Sequence, residues 1–377
     1  MNFELNEEQQ ALQGSLARLL ADTYGFEQRR ALAASSGGWS PAVWQQMAEL
    51  GLSALPLPPA HGGFGGGAVD LLPVMQELGR ALVLEPYLSS IVLGATALRL
   101  AGDEDIQARL LPDVASGELR LAWAHDEAGA RHAPLWIETR AQQQDGRWRL
   151  DGGKCHVLHA PAAHRFVVSA RIEGTPAQRE GLALFLVEAN APGLSCRAHR
   201  LVDDSTAGEL RFDGVQAMPL GDPRDGAHAL RAIDGTIALG IAAVCADAVG
   251  AMEAAYRLAV DYLQTRKQFG RLIGENQALR HRAAEMLVSL EMCRSMAIAA
   301  AVAADDPSAP DANADLARAK LMIGRHGRSV CQTAIQLHGG IGMTEEYAVG
   351  HYLRRVTLID QLFGDAEAQA MRLAAMA

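Results

Sequence analysis

The most constraining feature of this chain is the stretch Arg266-Lys267-Gln268-Phe269-Gly270-Arg271-Leu272-Ile273-Gly274-Glu275-Asn276-Gln277. A helical run rich in small residues leads into it, from about Thr236 to Thr265, and another leaves it, from about Gln277 to Ala304. Between them the spacing predicts a turn, with Gly270 free to take positive φ. In the second run Leu279, Ala283, Met286, Leu290, Cys293 and Ala297 recur at a 4-3-4-3 spacing. That spacing sets one apolar seam against neighbouring helices, as in a four-helix bundle. The turn opens on two cations and carries an aromatic ring. A guanidinium at a helix end beside a flat apolar ring suits a phosphate joined to a planar base. An ordinary basic loop between two helices has the same look, and the stretch alone does not separate the two.

A second motif lies downstream, Gln336-Leu337-His338-Gly339-Gly340-Ile341-Gly342. Together, R-K-Q-F-G-x-x-I-x-x-x-Q and Q-L-H-G-G-I-G resemble the paired signatures of the acyl-CoA dehydrogenase family. The resemblance covers essentially the whole chain. It implies an α+β fold with an N-terminal helical domain over 1–118, a middle antiparallel β-barrel domain over 119–222 and a C-terminal four-helix bundle over 223–377.

The chain in order is consistent with that layout. Asn6 is an N-cap with Gln9 three residues on, opening an amphipathic helix over 6–22. Ser40-Pro41 opens a second helix that stops at Gly51. The run His61–Gly67 reads as a loop; no strand leads into it and its glycines do not have P-loop spacing. Helices follow over Leu71–Leu84, Ile91–Leu100 and Ile106–Leu111. From about residue 119 short apolar runs between turns predict strands over Arg147–Leu150, Phe166–Ser169, Leu182–Val187, Leu194–Leu201 and Glu209–Phe212. Asp151-Gly152-Gly153 and Asp213-Gly214 read as turns, Pro219–Gly226 as a linker, and the remainder as helix.

Composition narrows the partners. A net charge of −10 argues against nucleic acid. Five dispersed cysteines without a C-x-x-C pair read as reduced thiols in the cytoplasm, with no metal site. The acidic N-terminus, Met1 to Glu8, has no signal-peptide core. The longest apolar run, Ile237–Ala246, is too short for a bilayer, so no membrane is expected.

What the resemblance implies for chemistry is specific. Acyl-CoA dehydrogenases take an α proton and a β hydride from an acyl-CoA thioester. FAD accepts the hydride, a carboxylate takes the proton, and electron-transfer flavoprotein receives the electrons. One half of the FAD cradle comes from a neighbouring subunit. On that half Arg266 would pair with the pyrophosphate, Phe269 and Gln277 would line the adenosine, and Gln336, Gly339 and Gly340 would meet ribose and pyrophosphate. The other half is a chain's own flavin-ring side, where the family shows T-E-P-G-x-G-S and K-x-W-I-T-N. Here these read Asp126-Glu127-Ala128-Gly129-Ala130-Arg131-His132 and Lys154-Cys155-His156-Val157-Leu158-His159. Asp126 offers an acceptor where a hydroxyl is usual, Leu158 offers nothing, and His156 replaces the tryptophan that packs on the ring.

The base departs furthest. The usual Glu precedes a Gly near the C-terminus, where this chain has Phe363-Gly364. The alternative family position, on the helix before the Arg266 motif, is Gly240. Neither can remove a proton. Asp365 is the best substitute, on a shorter arm, although Asp360, Asp365 and Glu367 also read as helix caps or first-turn charges. The pattern resembles the base-less subunits of heteromeric acyl-CoA dehydrogenases, such as the small subunit of pimeloyl-CoA dehydrogenase. The expectation is a hetero-oligomer with a Glu-bearing companion. Two alternatives are a homo-oligomer relying on Asp365 and a non-catalytic subunit that binds FAD or acyl-CoA.

Overall fold

A computed structural model describes residues 5–376. The helices in chain order are α1 (Glu7–Thr23), α2 (Phe26–Ala34), α3 (Pro41–Glu49), α4 (Ala68–Ala81), α5 (Thr96–Ala101), α6 (Glu104–Ala115), α7 (Gly226–Thr265), α8 (Gln277–Asp305), α9 (Ala312–His338), α10 (Val349–Gln361) and α11 (Ala366–Met376). The chain divides into two compact units. One comprises Met1–Arg30, Leu71–Val83 and Ile241–Ala377; the other comprises Ala31–Asp70 and Leu84–Gly240.

The first unit is helical. Asn6 forms the expected capping box: Gln9 N donates to its Oδ1 at 2.8 Å and Gln9 Oε1 accepts from its backbone N at 2.9 Å. The small-residue helices pack as closely as their composition predicts. A Cβ on Gly79 of α4 would lie 2.0 Å from Asp247 O of α7, and one on Gly250 would lie 1.9 Å from Gln76 O. Asp247 also receives Arg355 of α10 through Nε at 3.0 Å and Nη2 at 2.7 Å. Met286, Leu290, Cys293 and Ala297 of the expected α8 seam are buried, and α9 packs against α8, α10 and α11.

Two of these helices qualify, by length and hydropathy alone, to cross a membrane: α7 and α8. Buried core helices of globular proteins pass the same test, so it does not by itself make either a span. The apolar window of α7 is 83% buried inside the protein, whereas that of α8 is only 39% buried. The exposed part of α8 includes Leu287, Val288 and Met292.

The second unit is built on a sheet of strands β1 (Leu121–Ala124), β2 (Arg140–Gln144), β3 (Arg147–Leu158), β4 (Arg165–Arg171), β5 (Leu182–Glu188), β6 (Leu194–Arg200) and β7 (Thr206–Pro219). Six of them run in the order β1-β4-β2-β3-β7-β5, β4–β5 pairing closes the barrel, and β6 pairs with β7 off this path. Leu150, Phe166, Val168, Phe185, Leu210 and Phe212 fill its core. Most pairs are antiparallel, but β1 and β2 both pair parallel with β4. Two expected turns are interior to strands. Gly152 (φ 141°) lies at a register shift of β3 against β7, so Asp151–Gly153 bends the strand without ending it. β7 likewise continues through Asp213-Gly214 to Pro219.

In the same unit Ser40 Oγ caps α3, accepting from Val43 N at 3.2 Å. The glycine run at 62–67 closes tightly on its own neighbours, since a Cβ on Gly63 would lie 2.0 Å from Leu57 O. Its glycines serve packing. Residues Tyr87–Ala95, expected as ordinary helix from Ile91, form a π-helix.

Candidate active site

The Arg266 stretch folds as a two-residue hairpin. Strands β8 (Lys267–Gln268) and β9 (Arg271–Leu272) pair antiparallel, joined by Phe269 and Gly270 at φ 51° and 80°. Positive φ at both central residues is the type I′ turn that suits strand twist. Glycine accepts it freely, but a bulky residue in this region is strained by roughly 1–2 kcal/mol. Phe269 is also fully exposed. Nothing in its own unit compensates either cost, which is the pattern of a residue held for contact with something else. Arg266 ends α7, its backbone N donating to Tyr262 O at 2.9 Å and its O accepting from Ile273 N at 2.9 Å. Its guanidinium is exposed and has no partner among the described residues. Gln277 opens α8, also exposed.

The second motif lies beside this helix end. The His338 ring sits 4.6 Å from that of Tyr262 and 4.9 Å from that of Tyr347, with His338 Nε2 3.2 Å from Tyr347 Oη. Nδ1 of His338 is 2.7 Å from Ala334 O, and burial pushes the imidazole below its usual range. The stack fixes the last turn of α9, from which Gln336, Gly339 and Gly340 project to solvent. Gly339 follows the last turn of α9 at φ 68° and ψ −140°, outside the left-handed helical region and open in practice only to glycine. Gly340 does not have positive φ, and a Cβ placed on it would meet no atom within 4 Å. No requirement of its own unit explains glycine there. The backbone there is open to close approach, which is what the pyrophosphate end of a FAD would require of these residues.

An open, mainly apolar groove of 540 Å³ is lined by Tyr256, Val260 and Leu263 of α7, Leu272 of the hairpin, and Ala283 and Leu287 of α8.

The residues expected at the flavin ring, Asp126, His156 and Leu158, lie in the β-domain unit. Asp126 is exposed and its carbonyl accepts from Cys155 N at 2.9 Å. His156 is exposed at φ 51°, its ring 6.1 Å edge-on from that of His199. Leu158 is buried at 9% exposure and pairs with Ala207. No side-chain donor stands at positions 126 or 158. The strand ends that carry these residues are nonetheless tied firmly. Lys154 Nζ, fully buried, donates to Glu127 Oε1 at 2.7 Å, to His125 O at 2.9 Å and to Ser169 Oγ at 3.0 Å. Glu127 also accepts from the backbone N of Glu138 and of Thr139. His125, stacked 5.0 Å from Trp123, is pushed down to about 4 by burial and stays neutral. The sequence shows Glu127 and Lys154 inside the two motifs but gives no sign that they meet, 27 residues apart.

Where the base was expected, Phe363 (φ 58°) and Gly364 (φ 93°) form the turn between α10 and α11. Both nearby aspartates are engaged. Asp365 Oδ1 accepts from Ala368 N at 2.8 Å, capping α11, and Asp360 Oδ1 accepts from Ala366 N at 3.2 Å. Glu367 lies 3.4 Å from Arg325 at the surface. Gly240, the other base position, is a buried residue of α7. Lys320, which no sequence motif singles out, reaches this turn from α9, some 40 residues upstream.

Three family models match: the acyl-CoA dehydrogenase N-terminal domain over residues 6–118, the middle domain over 121–215 and the C-terminal domain over 230–377. Among curated proteins, acyl-CoA dehydrogenase FadE12 of Mycobacterium tuberculosis is 31% identical over 359 residues, 92% of this chain and 90% of that one. Subunit CarC of the caffeyl-CoA reductase–Etf complex of Acetobacterium woodii is 27% identical, covering 90% of each. Among solved structures, a variant of the Tcur3481–Tcur3483 steroid ACAD superposes with a TM-score of 0.88 at 31% identity, covering 98% of this chain and 97% of that one. The ChsE4–ChsE5 complex of Mycobacterium tuberculosis gives 0.88 at 26%, covering 100% and 98%. The chain therefore belongs to the acyl-CoA dehydrogenase family of FAD-dependent oxidoreductases.

Proposed function

We propose that this chain is a base-less subunit of a heteromeric acyl-CoA dehydrogenase, supplying the trans half of a FAD site to a Glu-bearing companion. The observation that carries the reading is the 363 turn. Phenylalanine stands at the base position, and the two nearest aspartates already accept hydrogen bonds from backbone amides. An aspartate that caps a helix would have to give up that bond to reach a substrate, which weighs against self-sufficiency through Asp365. Two of the similar structures carry paired names, and one of them is named as a complex.

FAD held at this site would supply the acceptor for the hydride that leaves the acyl β carbon. This chain's part is recognition. Arg266 holds the pyrophosphate, Phe269 and Gln277 the adenosine, and Gln336, Gly339 and Gly340 the ribose and pyrophosphate of the FAD that the companion grips at its ring. Asp126, His156 and Leu158 make this chain's own ring side a poor one. Electron-transfer flavoprotein is the acceptor, in keeping with a relative named as part of an Etf complex. The domains divide at 118/119 and 222/223, and the five unpaired cysteines suit the cytoplasm. The test is to purify the chain alone and with a companion, and to measure bound flavin and acyl-CoA turnover. A yellow, active protein from this chain alone would instead support the self-sufficient homo-oligomer.

Two expected results follow from the trans site. Arg266→Ala should leave the fold intact and weaken FAD retention by the active assembly roughly ten- to a hundredfold, the worth of a charge-assisted phosphate contact at about 1.5–3 kcal/mol. Flavin content per assembly, read by absorbance after dialysis, checks it; unchanged content rejects the assignment. The chain should also be at least a dimer in solution. The open face of α8, with Val288 at 61% exposure, is the surface to cover. Light scattering should find Val288→Asp shifted toward monomer. A wild type that stays monomeric both alone and with the companion would remove the trans-site argument.

A further inference from the structure

The turn at 360–366 is fixed by contacts that do not involve the side chain of residue 363. Lys320 Nζ, fully buried, donates to Asp360 O at 2.9 Å and to Gly364 O at 3.0 Å. It thus grips both ends of the turn from α9. Gln369 Nε2 donates to Phe363 O at 2.7 Å from the other side. Asp360 folds back to Ala366 N, and it can do so because α9 has glycine one turn beyond Lys320. A Cβ on Gly324 would lie 2.1 Å from Asp360 Oδ1. Between these ties Phe363 is held at φ 58°, a conformation a phenylalanine does not choose on its own.

We propose that Lys320 is the positioning residue for position 363: it clamps the two ends of the turn to α9 and so fixes how the side chain there is presented, whatever that side chain is. The clamp consists of one buried ammonium and two carbonyls. Burying an amine is costly, and it is retained here with hydrogen bonds to backbone rather than to a carboxylate. A lysine that only filled space could be replaced by methionine at no cost to the turn. A lysine that sets the turn could not. The frame that presents a base is therefore intact in a chain whose residue 363 is not one. The significance of position 363 rests on the function proposed for the chain; the clamp itself does not, and the test keeps them apart.

The chain has eight phenylalanines, so uniform 4-fluorophenylalanine labelling gives a resolvable set of fluorine resonances. The Phe363 line is assigned by its loss in Phe363→Leu. In Lys320→Met that line should shift and broaden while those of Phe166, Phe185 and Phe212 in the β barrel stay in place. Amide exchange across 361–369 should rise at least about tenfold. Lys320→Gln keeps two N–H donors and should recover much of the wild-type line and protection. Phe363→Glu should leave exchange across 361–369 near wild type. A Lys320→Met protein that melts earlier with its Phe363 line and local exchange unchanged would overturn the proposal. So would a Phe363→Glu protein as mobile there as Lys320→Met. If Lys320→Met does not fold, Gln369→Leu removes the opposing tie and is read by the same two signals. None of these signals depends on turnover, so a failed companion experiment leaves this result standing, and the reverse.

Discussion

Purified alone, the wild-type chain should desaturate no acyl-CoA at a measurable rate, and a Glu-bearing companion should restore turnover. Placing a carboxylate at the base position is worth about 10²–10⁴-fold in general, and more where no water can stand in. Phe363 supplies none of that. Asp365 is bound to Ala368 N at 2.8 Å, and Asp360 is 7% exposed with Lys320 donating to its carbonyl. The experiment is a panel of short, long, dicarboxylic and steroid acyl-CoAs against wild type, Phe363→Glu and Asp365→Asn, each with and without companion. Phe363→Glu alone should gain little, because Asp126 and Leu158 offer no side-chain donor to a reduced, anionic flavin ring. Wild-type activity abolished by Asp365→Asn would replace this reading with the homo-oligomeric one. Asp365→Asn with companion present should keep its activity, since asparagine also caps a helix.

What is legible in the sequence is what is local. The capping box at Asn6 and Gln9, the Ser40-Pro41 start and the seam through Met286, Leu290 and Cys293 are set within a few residues, and the structure has all of them. The hairpin at 266–272 is legible as a turn, but the strain at Phe269 is not, because nothing in a phenylalanine announces positive φ. The β domain is the least legible part. Asp151-Gly152-Gly153 has turn chemistry, yet β7 pairs across it and makes it a bulge, so a distant strand decides between two local possibilities. β1 gives no signal because Leu121–Ala124 is too short and too apolar to show alternation, and its partner β4 is more than 40 residues away. Sequence separation also hides the Lys154–Glu127 pair, 27 residues apart, and the Lys320 clamp, whose partners lie 40 and 44 residues on. Both join motifs that sequence can find to residues it cannot know they touch.

The largest stability effect should come from breaking that pair. Lys154→Met leaves the Glu127 carboxylate, 3% exposed, without its cation, and uncompensated buried charges of this kind cost about 3–5 kcal/mol. At roughly 2–4 °C per kcal/mol for a domain of this size, the melting temperature should fall on the order of 10 °C. Lys154→Met combined with Glu127→Leu should recover only part of it. Removing the carboxylate ends the charge problem but orphans the amides of Glu138 and Thr139, which Glu127 accepts from. The pH dependence has a definite sign. Burial alone would raise the Glu127 pKa, but Lys154 and the two amides outweigh it and hold the carboxyl below its usual range. A carboxyl depressed in the folded state contributes stability above its unfolded value, near 4.3, and loses it as pH falls through the folded value. Wild type should therefore exceed Glu127→Gln by a constant margin at pH 6 to 7, and the margin should shrink below about pH 4. Thermal melts of both proteins across that range read it directly. A margin that grows on acidification would mean the buried ammonium, not the carboxylate, governs the site. In that case the 125–139 loop is held by Lys154 through His125 O and Ser169 Oγ, and Glu127 is secondary.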